Sequence, residues 1–319
     1  MKESYILLLL LLLLPATGSA FQAKDPQPDS SDLFIGLTVL DVIEVDDTEE
    51  NITAEFLFSM QWPVDSLWGR EIPYAEDLVP RIELQYMNEV EPFFEKKIKI
   101  DERGMARFNQ RVIGTFRHQF DFTEFPFDKQ DWKLSFFHIG DHFYRLIPDT
   151  VYMGLHEDFI DPPNWRTSFE GVADSQMRGP GPDIKALAFR FQLRRNSKYY
   201  VWKVLVPIGL IVLMSWGVFW IRPEEISAQL TVSVTAILTL VAFQFSVSQL
   251  VPPLSYLTLL DKFSIGADFL VFLAFLESLV TSFQAQAGRH RLSARIDRFS
   301  RWAFPIGFSV FTLILFLAR

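Results

Sequence analysis

The chain contains no cysteine. That excludes thiolate nucleophiles, cysteine-ligated zinc, iron–sulfur clusters and disulfide staples, so an exported domain of this chain must be held by its core alone. Phosphate-cradling glycine loops, nucleophile elbows and HExxH pairs are missing too. No enzyme and no cofactor is expected. His138 and His142, with Asp141 between them, have a metal-like spacing but lack a third ligand, and are read as loop histidines without metal. Basic charge is scarce over residues 21–198, where 20 Lys and Arg face 32 Asp and Glu, a formal charge of −12. Such a surface repels nucleic acid, which is not an expected partner.

Apolar residues are plentiful, at 49% of the chain, and they are unevenly placed. Met1 to Ala20 reads as a secretory signal: Lys2, a leucine-rich core from Ile6 to Leu14, then the small residues Gly18-Ser19-Ala20. The run falls short of the roughly 20 residues a bilayer requires. The mature chain is expected to begin near Phe21, with a polar domain over 21–198 and a membrane domain over 199–319.

The membrane domain has four segments suited to spanning helices, at about 201–221, 226–249, 256–283 and 299–318. The most apolar stretches of the last two are Ser264 to Phe283 and Trp302 to Ala318. Pro207 interrupts the first, which neighbouring helices can accommodate. Tyr199, Tyr200, Trp202, Trp220 and Trp302 fall at the ends, where an aromatic belt is expected. The connection between the third and fourth segments carries Arg289, His290, Arg291, Arg295, Arg298 and Arg301, so it is expected in the cytoplasm. The N-terminal domain and the C-terminus then lie outside an inner membrane, with lipids as partners.

The second segment is unusually polar. Alternate steps of four and three residues pick out Thr231, Thr235, Leu238, Ala242, Phe245 and Gln249, with Ser227 and Gln229 at the inner end. Hydroxyls can replace part of an ion's hydration shell, and large apolar side chains such as Leu238 and Phe245 can close a path by dewetting. One helix cannot enclose a pore, so that reading requires a ring of copies. Serines and threonines also bond helices together inside a single bundle, and the pattern alone leaves both readings open.

Residues 33–198 alternate in the manner of strands, near Leu33–Val45, Ile52–Trp62, Ala106–Phe116, Trp132–Ile139 and Ala186–Arg194. Turn signals separate them at Asp101–Gly104, Asp161–Asn164 and Gly179–Pro182. The fold class is a multi-domain membrane protein: an all-β, immunoglobulin-like sandwich followed by a four-helix bundle.

The stretch Phe120-Asp121-Phe122-Thr123-Glu124-Phe125-Pro126-Phe127-Asp128-Lys129-Gln130 resembles the signature loop of the pentameric ligand-gated ion channels, the Cys-loop receptor superfamily. His118 and Trp132 stand where animal members have cysteines, which looks like the prokaryotic, cysteine-free branch. The resemblance continues through Arg195–Tyr200, Pro207, the second segment and Val251–Tyr256. It implies a homopentamer whose second helices line the pore, with gates at Leu238 and Phe245. It also implies a coupling cluster of Asp47, Asp128 and Arg195 that signals to Pro253 and Tyr256.

The resemblance places an agonist between subunits, held by an aromatic box. Here Ile139 stands at the box's central tryptophan position and Ser175–Asp183 has no aromatic, so a quaternary amine is not expected. Glu83, Phe137, Ile139 and Trp165 are the ligand-binding candidates, whereas Trp62 is read as core. Protons are the alternative agonist, with Glu50, His118 and His138 as sensing candidates. Monovalent cations are the expected permeant ions. Ala228 replaces the inner-mouth glutamate usual in cation channels, but Glu224 and Glu225 lie just before it, and the exterior is acidic. The connection Ile221–Ala228 has the length seen in anion channels without their Pro-Ala-Arg, carrying Ser227-Ala228-Gln229 instead. A membrane-anchored binding module with no pore is the other functional class considered.

Overall fold

The computed structural model describes residues 31–64, 69–73, 79–85, 87–92, 97–140, 144–177, 183–250 and 252–317. The expected signal sequence, the Gly179–Pro182 turn, Asp141 and His142 lie outside the described residues.

Eleven described strands form two sheets. β1 (Ser31–Asp46), β2 (Asn51–Pro63), β3 (Glu71–Pro73), β6 (Lys97–Ile100), β7 (Met105–Arg117) and β9 (Tyr144–Leu155) make the first, in the order β3-β6-β7-β2-β1-β9, and β5 (Met87–Pro92) also pairs with β7. The second runs β10-β11-β8-β4, from β10 (Trp165–Met177), β11 (Ile184–Arg195), β8 (Lys129–His138) and β4 (Ile82–Leu84). Most neighbours are antiparallel, and β1 pairs in parallel with β9.

Alternation dictates which face is buried. Along β7, Ala106, Phe108, Gln110, Val112, Gly114 and Phe116 turn inward while Arg107, Asn109 and Arg111 face water. Aromatic rings then join the sheets: Phe58 stacks on Phe136 at 5.2 Å and Phe116 meets Trp132 edge-on at 5.7 Å, while within the second sheet Trp132 lies 5.4 Å from its cross-strand partner Phe191. Each of the buried phenylalanine rings, Phe116, Phe136 and Phe191, contributes about 1.5–3 kcal/mol. Trp132, at one of the two expected cysteine-replacing positions, is thus part of this core, as is Trp62. Between β6 and β7 the Asp101 carboxylate accepts the N–H groups of Arg103 and Met105, and Gly104 takes a φ of 78° that favours glycine.

Six of the described strands were not anticipated from the sequence: β3, β4, β5 and β6, of three to six residues each, and the longer β9 and β10. β9 contains Pro148 and a register shift against β1, and β10 has a bulge between Phe169 and Gly171; both interrupt the period of two.

Four helices long and apolar enough to cross a membrane follow: α1 (Lys198–Trp220), α2 (Ile226–Val247), α3 (Leu259–Gln286) and α4 (His290–Leu317). The chain is a multi-pass membrane protein. α1 carries a π turn over Val201–Leu205 immediately before Pro207, which has no N–H to donate. α3 starts three residues later than expected. α4 corrects the expectation most: it starts nine residues before 299, so the arginines assigned to a connection, Arg289 excepted, lie on a helix, and only Ala287 to Arg289 joins α3 to α4. Helical spacing explains this, because Ser293, Asp297 and Ser300 recur on one buried face while Arg291, Arg295 and Arg298 project from the other. α4 packs mainly on α3 and also on α1. Gly266 lets the α3 backbone approach the Phe311 ring, since a Cβ there would lie 2.1 Å from it.

Candidate functional site

Where the sandwich meets the helices, four segments converge on one guanidinium. Arg195 ends β11, Asp47 follows β1, Asp128 closes the 120–130 loop, and Tyr200 begins α1. The Arg195 Nη1 and Nη2 donate to the Asp47 Oδ2 and Oδ1 at 2.6 and 2.9 Å, and its Nε and Nη2 donate to the Asp128 Oδ1 and Oδ2 at 2.7 and 3.1 Å. Both carboxylates are held bidentately, a geometry that lysine cannot reproduce. Gln130 Nε2 adds a bond to Asp128 Oδ2 at 2.7 Å. The Arg195 and Asp128 side chains are each 1% exposed, and Asp47 is 16% exposed.

One cation between two carboxylates leaves a net negative charge in a nearly dry site. Burial works against the charge on Arg195, but the two carboxylates outweigh it and hold the guanidinium above its ordinary pKa. Burial pushes the Asp47 carboxyl above its ordinary value, against the pull of its Arg195 bonds. The predicted cluster of Asp47, Asp128 and Arg195 is therefore assembled. The structure adds a floor of rings: the Arg195 guanidinium carbon lies 4.1 Å from the Trp165 ring centroid and 5.0 Å from that of Phe125.

This floor corrects an expectation. Trp165 is buried beneath Arg195 and is not a surface aromatic available to a ligand, because the antiparallel β10–β11 register sets Trp165 directly opposite Arg195. Phe137 is corrected too: it is buried, since β4 and β11 cover β8 on both sides there. Glu83 and Ile139 are exposed near the β4–β8 edge, with the Ile139 N–H donating to the Arg81 carbonyl.

The 120–130 loop also grips the membrane domain. The Tyr256 hydroxyl accepts the Phe122 N–H at 3.0 Å. At the start of α3, the Leu259 and Leu260 N–H groups donate to the Thr123 and Phe125 carbonyls at 3.0 and 3.1 Å. These are helix-start donors that otherwise need a cap, and the next available donor is used by a box of Thr258 and Asp261. Phe127 meets Phe316 of α4 edge-on at 5.6 Å. Pro253 is exposed on the α2–α3 connection; Tyr256, not Pro253, carries the bond to the loop. The main-chain bonds have no side-chain signature, whereas the Thr258-x-x-Asp261 spacing is legible as a helix start.

On α2 the expected stripe is unpartnered in the protomer. Ser227, Thr231, Thr235, Leu238, Ala242, Phe245 and Gln249 are all exposed, while Ser233, Ala236 and Leu240 on the other side are buried. The Thr231 hydroxyl donates to the Ser227 carbonyl, so its oxygen remains able to accept or coordinate. Gln229 departs from the expectation. It is buried, its Nε2 donating to the Ile221 carbonyl at 3.1 Å and its Oε1 accepting the Ser282 hydroxyl at 2.7 Å. It ties α2 to α3 and does not share the exposed stripe. Glu224 and Glu225 are exposed before α2, with Glu224 3.1 Å from His290 Nδ1.

Of the proton-sensing candidates, His118 is half-buried: its ring lies edge-on to Phe120 at 4.8 Å and burial lowers its pKa, with Asp131 pulling the other way. Glu50 occupies the β1–β2 turn at a φ of 54°, and its carbonyl accepts the His118 N–H. His138 packs edge-on against Tyr144 at 4.8 Å.

Residues 204–291 match the profile of the neurotransmitter-gated ion-channel transmembrane region. Over 278 residues the chain is 24% identical to a gamma-aminobutyric acid receptor subunit beta of Caenorhabditis elegans, covering 80% of this chain and 50% of that protein. It is 26% identical to the subunit beta of Lymnaea stagnalis over 63% of this chain and 41% of the relative, and 20% identical to subunit beta-4 of Gallus gallus over 76% and 53%. The chain thus spans about half the length of the curated relatives it matches. None of these descriptions is of an enzyme. In its membrane helices and over most of its length, the chain is similar to subunits of neurotransmitter-gated receptor channels.

Proposed function

We propose that five copies of this chain surround a pore lined by α2, and that a stimulus received by the sandwich opens it. The observation that carries the reading is the exposed α2 stripe, hydroxylated at Thr231 and Thr235 and apolar at Leu238 and Phe245, on a helix whose opposite face is packed. Five such stripes give stacked rings, two wet and two able to dewet and close the path. Leu238 and Phe245 are the gates in this reading, and Asp47, Asp128, Arg195 and Tyr256 couple them to the sandwich. Pro253, exposed beside Tyr256, is a further contact for the moving loop.

The sandwich lies outside and the arginine-rich start of α4 inside, an orientation supported by the positive-inside bias. A cysteine-free core fits a prokaryotic member of such channels, in a bacterial inner membrane. Cation permeation is supported by Glu224 and Glu225 at the inner mouth and by the absence of Lys and Arg from Ile226–Val247. Of the ligand candidates, Glu83 and Ile139 remain exposed for a small molecule at a subunit interface. For a proton stimulus, His118 is the favoured sensor.

Recording from the full chain in planar bilayers tests the reading. Gated unitary currents are expected, and Leu238→Ala is expected to raise baseline current. A silent bilayer with correctly folded protein refutes the channel. A reversal potential that follows the chloride gradient refutes cation selectivity alone.

A further inference from the structure

The hairpin of α3 and α4 sets two acids within membrane-spanning segments, where ionisable side chains are rare. Gly288, at a φ of 77°, turns the short connection, and the Ser293 Oγ donates to the Thr281 carbonyl at 3.0 Å. That bond sets the antiparallel register. One helical turn further from the connection on each helix, Glu277 comes opposite Asp297. The two carboxyls meet at hydrogen-bonding distance, with the Ser300 and Thr281 hydroxyls alongside. Asp297 is 3% exposed, and its Oδ1 and both Glu277 carboxyl oxygens are shut from water with no donor directed at them. Nearby donors are engaged elsewhere. Ser278 and Thr281 donate to carbonyls of their own helix, and Arg301, which acts on Asp297 from one turn away, gives its Nε to the Phe219 carbonyl at 2.8 Å. Glu224, on the α1–α2 connection, adds a negative field at Asp297 and itself lies against His290. α2 brings the neutral Gln229 to this end of α3, bonded to Ser282, and the Gly217–Trp220 turn packed on α3 and α4 carries no titratable side chain.

We propose that Glu277 and Asp297 together bind one proton, held as a carboxyl–carboxylate hydrogen bond that clasps α4 to α3. Two ionised carboxylates are both acceptors only, so in contact they repel, and in a low-dielectric setting that repulsion is large. One proton turns the contact into a bond: one acid donates its O–H, the other accepts, and the single remaining charge is left to Arg301. The proton belongs to the pair and not to either residue. A metal cation fits less well, because oxygens already in contact leave no space between them for an ion that needs several ligands at about 2.3–2.6 Å. Loss of the proton at alkaline pH sets two like charges against each other and loosens the α3–α4 hairpin. This is the opposite sense to His118, whose lowered pKa makes acid the destabilising direction. The site does not depend on whether the chain conducts ions.

Infrared spectroscopy and thermal melts of the detergent-purified full chain test it. The wild-type spectrum at neutral pH is expected to hold the carbonyl band of a protonated, buried carboxylic acid, and Glu277→Gln and Asp297→Asn are each expected to remove it. An amide in either place donates to the remaining carboxylate without titrating. Both variants should therefore keep their melting temperature into alkali, where wild type is expected to lose several degrees. Melting temperatures of wild type and both variants that fall together with rising pH overturn the proposal, as does a wild-type spectrum without the band. A missing band together with a melting temperature raised by added sodium or calcium assigns the pair to a metal cation and also overturns it. Should neither variant assemble, wild type decides: the band must bleach over the same pH interval in which the melting temperature falls. A band or a melting temperature that does not respond to alkali refutes a shared proton.

Discussion

The guanidinium carbon of Arg195 stands 4.1 Å from the Trp165 ring centroid, with β10 holding the indole and β11 the cation in direct cross-strand register. The ring supports a side chain that also bridges Asp47 and Asp128. Trp165→Ala is expected to cost about 3–5 kcal/mol through the cavity it leaves, with a further loss from the missing cation–π contact. Trp165→Phe should retain much of both. Thermal melts of the purified protein check this, and a Trp165→Ala protein that melts like wild type refutes the assignment of Trp165 to the cluster.

Arg195→Lys keeps the charge but loses both forks, so one carboxylate is left without its partner in a nearly dry site. A fall in stability of about 3–5 kcal/mol is expected, readable as a shift in denaturant midpoint. Asp47→Asn is expected to be milder, because the cluster already carries one negative charge in excess and Asp47 is its more exposed carboxylate. Equal losses for the two substitutions count against this account.

The lack of native cysteine gives a clean background for thiol labelling. Thr231→Cys, Thr235→Cys and Leu238→Cys are expected to react with a water-soluble thiosulfonate in the assembled, activated protein. Ser233→Cys, Ala236→Cys and Leu240→Cys should not react, since those side chains are buried. Gln229→Leu should lower stability by about 1–3 kcal/mol by leaving the Ser282 hydroxyl and the Ile221 carbonyl unpaired, without altering which α2 positions label. The same pattern on both faces of α2 rejects the pore-facing stripe.

For His118 the sign of the pH effect follows from burial. Its folded pKa lies below the ordinary 6.5, so the folded state binds that proton less readily than the unfolded chain. Its contribution to stability is complete above about pH 6.5 and is lost as pH falls towards the folded value. Wild type should therefore lose more melting temperature between pH 7.5 and 5 than His118→Phe does. Parallel curves exclude His118 as the source.

Much of this was legible in the residues, for physical reasons that differ by region. β7 alternates through its length and β11 alternates from Phe189 to Arg195, so Ala106–Phe116 and Ala186–Arg194 disclosed their strands; β9 and β10 did not, because Pro148 and the bulge at Gly171 break the alternation. The exposed α2 stripe followed from spacing alone, yet Gln229 looked like its neighbours until its bonds to Ile221 and Ser282 placed it inside. Asp47, Asp128 and Arg195 were expected together through the resemblance. Trp165 was misassigned because its partner is 30 residues away in sequence and adjacent only through strand pairing. The start of α4 was hidden by its arginines, which read as a loop until the buried serines opposite them gave the helical period.

The bonds from Leu259 and Leu260 to Thr123 and Phe125 have a mechanical corollary. A clasp made of backbone amides and carbonyls is indifferent to which side chains occupy those four positions. Torque on the sandwich would thus reach the third helix through the peptide chain itself, like a crank keyed to its shaft. Drift of the surrounding residues can retune how readily the crank turns while leaving the key in place.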